Sequence, residues 1–268
     1  MGQPVLSLTA RRPASTPSMM IPQSETKMRE PIPSVSPNEI NGDLLRNLVG
    51  LDACVVLEIG ANDGSHTNKL FSTFPNAKIH AFEPDPRAIA KFKARGTDPR
   101  VSLFEMAIGA KDGQSEFHVS SGLPPGLPPE AQAQYPQGWD QSGSLRPPKT
   151  HKIAWPWCKF ETTITVPVRR LDSWAREHGV HEVDFIWADT QGAEGDLIAG
   201  GRETLAATRY FYTEYSNDEW YEGQPNLEQL LDMLPGFAIQ TRYAMNVLLR
   251  NTAYKSSFGR HPWHPNRM

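Results

Sequence analysis

A chain of 268 residues with a formal net charge of −3 suits one large α/β domain rather than two, and its acidic balance argues against an enzyme that embraces nucleic acid. Its two cysteines, Cys54 and Cys158, are too few and too widely spaced for a disulfide framework or a zinc site, which fits a reducing cytoplasm. No apolar run reaches the ~18 residues that span a bilayer, and Leu6 stands where a myristoylation signal needs Ser or Thr, so neither a membrane span nor a lipid anchor is expected.

Residues 1–37 are interrupted by seven prolines, from Pro4 to Pro37, and read as a flexible Pro/Ser-rich tail. One folded domain is expected over 38–252, with residues 121–160 as an insertion within it, followed by a second tail over 253–268. Ile40, Leu44, Leu45 and Leu48 recur at helical spacing and predict an amphipathic entry helix. The apolar run from Ala53 to Ile59, with Cys54 near its start, predicts a buried parallel strand.

Helix and strand then alternate: a helix near 65–74, a strand over 78–82, a helix near 86–95, and a strand over 101–104. Lys91, Lys93 and Arg95 fall on the solvated face of the second of these helices. Ser115–Val119 and Thr162–Val168 read as extra antiparallel strands. Residues 121–160 hold eight prolines and no periodicity, so they are expected to form a functional or disordered insertion.

Alternation resumes with a strand over 183–188, a helix over 193–200, a strand over 210–215 and a helix near 226–234. Phe237–Thr241 and Met245–Arg250 close the chain as a hairpin at the far edge of the sheet. The fold expected is a Rossmann-like, seven-stranded, mostly parallel sheet with an antiparallel C-terminal strand and helices on both faces.

In such a sheet, ligands bind beyond the carboxyl ends of the strands. Glu58-Ile59-Gly60-Ala61-Asn62-Asp63-Gly64 occupies that position after the first strand. Its spacing is not the Gly-x-Gly-x-x-Gly of a diphosphate site, and Glu58 and Asp63 would repel phosphate. The same acidity suits a cationic sulfonium with an ammonium group, as S-adenosylmethionine carries. A tight strand-to-helix turn would also account for the glycines alone.

Glu83, followed by Pro84, ends the second strand where acidic residues take ribose hydroxyls, while Asp85 reads as a helix cap. Met106, with Ala107 beside it, and Ile108 lie where an adenine ring would be sandwiched, although core packing would explain them equally. Asp189 ends the strand over 183–188, in the same crevice.

The ordered set of Glu58-x-Gly60-Ala61-x-x-Gly64, Phe82-Glu83-Pro84, Ala107-Ile108-Gly109, Ser142-Gly143-Ser144-Leu145, Val166-x-Val168, Leu171-Asp172 and Asp189-x-x-Gly192-Ala193-Glu194 resembles the FkbM family of S-adenosylmethionine-dependent methyltransferases. The resemblance runs from about Val55 to Arg250 and implies methyl transfer to a hydroxyl of a small molecule, sugar or natural product. Trp187 departs from the family, which commonly has lysine there, and Gln191 stands where glutamate is common.

An alcohol needs a base or a metal to attack. Asp189 is the first candidate for the base, followed by Glu194, Glu214 and His66. Asp189, Glu194 and Glu214 are also the candidate ligands of a divalent metal. Trp139, Trp155 and Trp157, with Ser144 of the shared motif, are expected to bind the acceptor, the tryptophans as a lid or merely as anchors of the insertion. Two rival readings remain: a nicotinamide-dependent oxidoreductase, and a noncatalytic nucleotide-binding protein on the same fold.

Overall fold

The computed structural model describes residues 32–37, 40–51, 55–96 and 98–255. The expected tails therefore lie largely outside the described residues, as does Cys54. Contacts divide the chain into Met1–Ile32 and Pro33–Met268, and every element below belongs to the second unit. Among the described residues, no helix is long and apolar enough to cross a membrane.

In chain order the elements are α1 (Gly42–Val49), β1 (Val55–Ile59), α2 (Ser65–Thr73), β2 (Lys78–Phe82), α3 (Pro86–Arg95), β3 (Val101–Phe104), β4 (Ala107–Ile108) and β5 (Gly113–Ser121). Two single-turn helices, α4 (Pro129–Gln132) and α5 (His151–Ala154), precede β6 (Lys159–Arg169) and α6 (Leu171–Glu177). The chain continues through β7 (Val183–Ala188), α7 (Glu194–Gly200), α8 (Arg202–Ala206), β8 (Thr208–Glu214), α9 (Leu227–Met233), β9 (Phe237–Arg242) and β10 (Asn246–Asn251).

Seven strands form the main sheet in the order β3-β2-β1-β7-β8-β10-β9. The pairs from β3 through to β8 are parallel. β10 runs antiparallel to both β8 and β9, so the last strand is slotted one place in from the edge. Chain order reverses between β1 and β7, and a reversal of this kind opens a crevice at the strands' carboxyl ends.

Burial on both faces explains the continuous apolar runs of β1 and β7. Leu57, Ile59 and Ile186 pack on one face with Leu171, Trp174 and Leu197. Val56 and Phe185 pack on the other with Leu70, Phe74 and Tyr212. Helix starts follow the side chains at hand: Asp85 caps α3 by accepting from the Arg87 N–H, with Pro86 in the first turn. Asn226 and Gln229 form a reciprocal capping box on α9.

The insertion is bound tightly to the domain. β4, β6 and β5 make a second, three-stranded sheet. His118 and Ser144 exchange backbone hydrogen bonds, the Ser120 hydroxyl donates to the Trp139 carbonyl, and the Tyr221 hydroxyl lies within hydrogen-bond distance of the Ser142 carbonyl, at 2.9 Å.

Trp174 is only 1% exposed and meets Phe82 and Phe104 edge-on at ring distances of 4.8 and 5.2 Å. Trp174→Ala is expected to cost about 3–5 kcal/mol through the cavity it leaves. Chemical denaturation will read this as a lowered midpoint.

Candidate active site

Beyond the carboxyl ends of β1, β2 and β7 lies a cavity of about 290 Å³. Its walls are Gly60, Ala61 and Asn62 after β1, Glu83 and Pro84 after β2, Met106, Ala107 and Ile108 beyond β3, and Asp189, Thr190 and Gln191 after β7. The insertion closes it with Trp139, Asp140 and Gln141.

Backbone geometry at Gly60 makes this crossing possible. Its φ is +90°, and a Cβ there would lie 1.9 Å from the Asp189 carbonyl oxygen. Only glycine allows the two strand ends to approach so closely. The Asp189 N–H donates to the Ile59 carbonyl at 2.8 Å, while Gly60 and Ala61 both donate to the Phe82 carbonyl.

Glu83 links two turns. Its Oε2 accepts from the Asn62 N–H and its Oε1 from the Asp85 N–H, each at 2.8 Å. Burial nevertheless pushes its carboxyl up to about 8, against the pull of those donors. Each oxygen retains a second lone pair, which leaves acceptor capacity for hydroxyls.

Asp189 stands at the tip of β7. Its Oδ1 accepts from Gln191 Nε2 at 2.6 Å; burial raises its pKa and the bonds from Gln191 oppose the rise. Gln191 Nε2 also lies 3.4 Å from Glu214 Oε2, at the end of β8. Burial, then the charges of Asp189 and Glu194, drives the Glu214 carboxyl well above the usual range. His66 lines the cavity and sits over the Trp187 ring at 5.1 Å; burial and then Lys69 lower its pKa.

Several expected site residues face elsewhere. Glu58 accepts from the Thr67 hydroxyl and lies outside the cavity wall, because alternation along β1 turns it with Val56 toward α2. Asp63 caps the turn into α2 by accepting from the Ser65 N–H and pairs with Arg95. Gly64 packs under Phe92, where a Cβ would lie 2.8 Å from the ring. Glu194 is buried beneath the turn before α7 and accepts from the Thr190 hydroxyl at 2.9 Å and from the N–H groups of Thr190 and Gly192. Glu214 and Glu194 lie behind the cavity wall.

Of the acceptor candidates, Trp139 alone is in the wall. Trp157 meets Trp139 edge-on from behind, and Trp155 packs against His151 and Trp220. Ser144 donates its hydroxyl to the Gln191 carbonyl at 2.6 Å, a structural bond. Among the described residues, no three His, Cys, Asp or Glu side chains are grouped to hold a metal ion, so Asp189, Glu194 and Glu214 do not form a ligand set.

Sequence reasoning passed over Asp140 and Tyr221. Asp140 is 4% exposed in the cavity wall and pairs with Lys91 at 2.5 Å. Tyr221 is 1% exposed and its hydroxyl lies 3.1 Å from Gln191 Oε1. Both come from aperiodic loops; the nearby Ser142-Gly143-Ser144 motif was the available signal for the first.

The family profile described as the methyltransferase FkbM domain matches residues 58–243. The chain belongs to the FkbM methyltransferase family. This FkbM-family enzyme is 45% identical over 203 residues to the 2-O-methyltransferase NoeI of Sinorhizobium fredii, an alignment covering 74% of this chain and 79% of that protein. Among solved structures, it is similar to Aeropyrum pernix fibrillarin with natively bound S-adenosyl-L-methionine at a TM-score of 0.40 and 14% identity, over 78% of this chain and 72% of that one. A Klebsiella pneumoniae protein described as a possible O-methyltransferase matches with a TM-score of 0.40 and 15% identity, over 82% and 84% of the two chains.

The raised carboxyls set a pH dependence. Burial pushes Glu58 and Glu83 up to about 8 and Glu194 up to about 7. Between an ordinary carboxyl pKa and these values, the folded protein holds protons that the unfolded chain has released, so stability falls as pH rises. The ligand-free protein is expected to melt at progressively lower temperature from pH 5 to pH 9, and Glu58→Gln is expected to flatten that slope. Thermal melts across the range provide the check.

Proposed function

We propose that this FkbM-family methyltransferase binds S-adenosylmethionine in the cavity and transfers its methyl group to a hydroxyl oxygen of a small molecule or glycan. One observation carries the reading: Glu83 and Asp189 line the cavity together with Asp140, whose partner Lys91 is not among the described lining residues, and that lining holds no Lys or Arg. Such a wall favours a cationic ligand and disfavours a diphosphate, which weighs against the nicotinamide reading. The hydroxyl acceptor is supported by the likeness to NoeI, a 2-O-methyltransferase.

The residues fit the cofactor. Glu83 would take the ribose hydroxyls, Met106 and Ile108 the adenine, and the Asn62 turn with Asp189 the charged amino-acid end. When bound, the cofactor supplies an electrophilic methyl group on a positively charged sulfur. The chain's own task is to orient the acceptor, exclude water and receive the hydroxyl proton, for which the Asp189 carboxylate is the assigned base. A neighbouring cleft of about 450 Å³ with Trp187, Tyr212, Tyr243 and Asn246 in its wall shares His66 with the cavity and supplies the acceptor's approach.

Calorimetry is expected to show binding of S-adenosylmethionine and S-adenosylhomocysteine but not of NAD. Glu83→Ala should weaken both cofactor forms by roughly 10- to 100-fold. With labelled cofactor and an acceptor drawn from cell extract, Asp189→Ala should lower turnover by about 10²-fold or more. Undiminished turnover would remove Asp189 as the base, and NAD binding in place of the sulfonium would overturn the reading.

A further inference from the structure

We propose that Gln191 is the positioning residue of this site: its side-chain amide, oriented by Tyr221, holds the Asp189 carboxylate at the cavity in its ionised form. The proposal rests on the reading that the cavity takes a sulfonium cofactor.

The backbone supplies the first observation. Gln191 has a φ of +51°, a conformation that a residue with a Cβ rarely adopts unless its surroundings impose it. Here they do. Ser144 Oγ donates to the Gln191 carbonyl at 2.6 Å. The next residue, Gly192, lies so close to Tyr221 that a Cβ there would sit 2.6 Å from the Tyr221 Cβ. The strained turn thus fixes where the Gln191 side chain begins.

The side chain supplies the second. A primary amide has donors at one end and an acceptor at the other. Nε2 lies 2.6 Å from Asp189 Oδ1 and 3.4 Å from Glu214 Oε2, while Oε1 lies 3.1 Å from the Tyr221 hydroxyl. Reversing the amide would set a carbonyl oxygen against a carboxylate oxygen at 2.6 Å, tolerable only with a proton between them. Amide orientation and Asp189 ionisation therefore select each other. The Tyr221 hydroxyl has one proton and two acceptors within reach, the Ser142 carbonyl at 2.9 Å and Gln191 Oε1. Its donation to Gln191 belongs to the state with Asp189 ionised.

The surrounding charges make such a donor necessary. Asp189 is within charge–charge range of Glu58 on β1, Glu194 on α7, Glu214 on β8 and the Tyr221 hydroxyl, with Glu83, Asp140 and His66 in the cavity wall. Every acidic neighbour opposes ionisation of Asp189, as does its burial. The Gln191 amide opposes them without adding a charge.

The test is the pH dependence of cofactor affinity, measured by calorimetry from pH 5.5 to 9 on the full chain with S-adenosylmethionine and S-adenosylhomocysteine. Gln191→Leu removes the donor; Tyr221→Phe keeps the ring and removes only the hydroxyl that orients the amide. Both are expected to move the midpoint of affinity against pH upward, by about one pH unit for Gln191→Leu and less for Tyr221→Phe, with a roughly tenfold loss of S-adenosylmethionine affinity at pH 7 for the former. A merely structural role would lower melting temperature and leave the midpoint in place. Variants that bind with an unshifted midpoint overturn the proposal. If the unaltered protein binds neither cofactor form, the cofactor reading falls and this proposal falls with it.

Discussion

Carboxylates removed from water are unfavourable unless protonated, hydrogen-bonded or matched by a positive charge. The carboxyl edge of this sheet gathers Glu58, Glu83, Asp189, Glu194 and Glu214, and burial is the first cause of the raised pKa of each. Local donors answer part of that cost: Thr67 for Glu58, backbone N–H groups for Glu83, Thr190 and Gly192 for Glu194, and Gln191 for Asp189. What is left over is a field that rewards a cationic ligand. The expected stability decline toward alkaline pH and the proposed affinity for a sulfonium are two readings of that same field.

Much of this architecture was legible in the sequence. Two-sided burial leaves apolar runs, the first of them closed by Gly60, and β1, β2, β7 and β8 appear within a residue or two of where those runs place them. The turns that bear Gly60, Glu83 and Asp189 follow directly from the strand ends. Side-chain direction was harder to read. In a strand buried on both faces, an acid next to the glycine turn carries no mark of which face it takes, so Glu58 was assigned to the ligand although it points toward α2. Glu194 was ambiguous for a related reason, since a carboxylate that closes a turn, as it does here, and one that meets a substrate look alike in sequence.

The insertion was hardest because neither period exists in it. Its tryptophans read equally as a lid or as anchors, and in the fold Trp155 and Trp157 pack on neighbouring rings while Trp139 and Asp140 form the wall. Tyr221 reaches Ser142 and Gln191 from a loop beyond β8, a contact between segments far apart in the chain. Such convergence is a property of the fold, with no local pattern to announce it. Gln191 was visible as a departure from its family, yet its φ and its partners give that departure chemical content.

The placement of β10 between β8 and β9 has a consequence for biosynthesis. Emerging vectorially from the ribosome, the nascent polypeptide presents β8 long before its antiparallel neighbour exists, so the edge that ends in Glu214 waits unpaired until Asn246 arrives opposite it. The sheet's last slot is filled from within rather than extended outward. Completion of the β8 edge is thereby tied to the synthesis of β10, and truncations that remove this strand should leave an aggregation-prone edge rather than a smaller working enzyme.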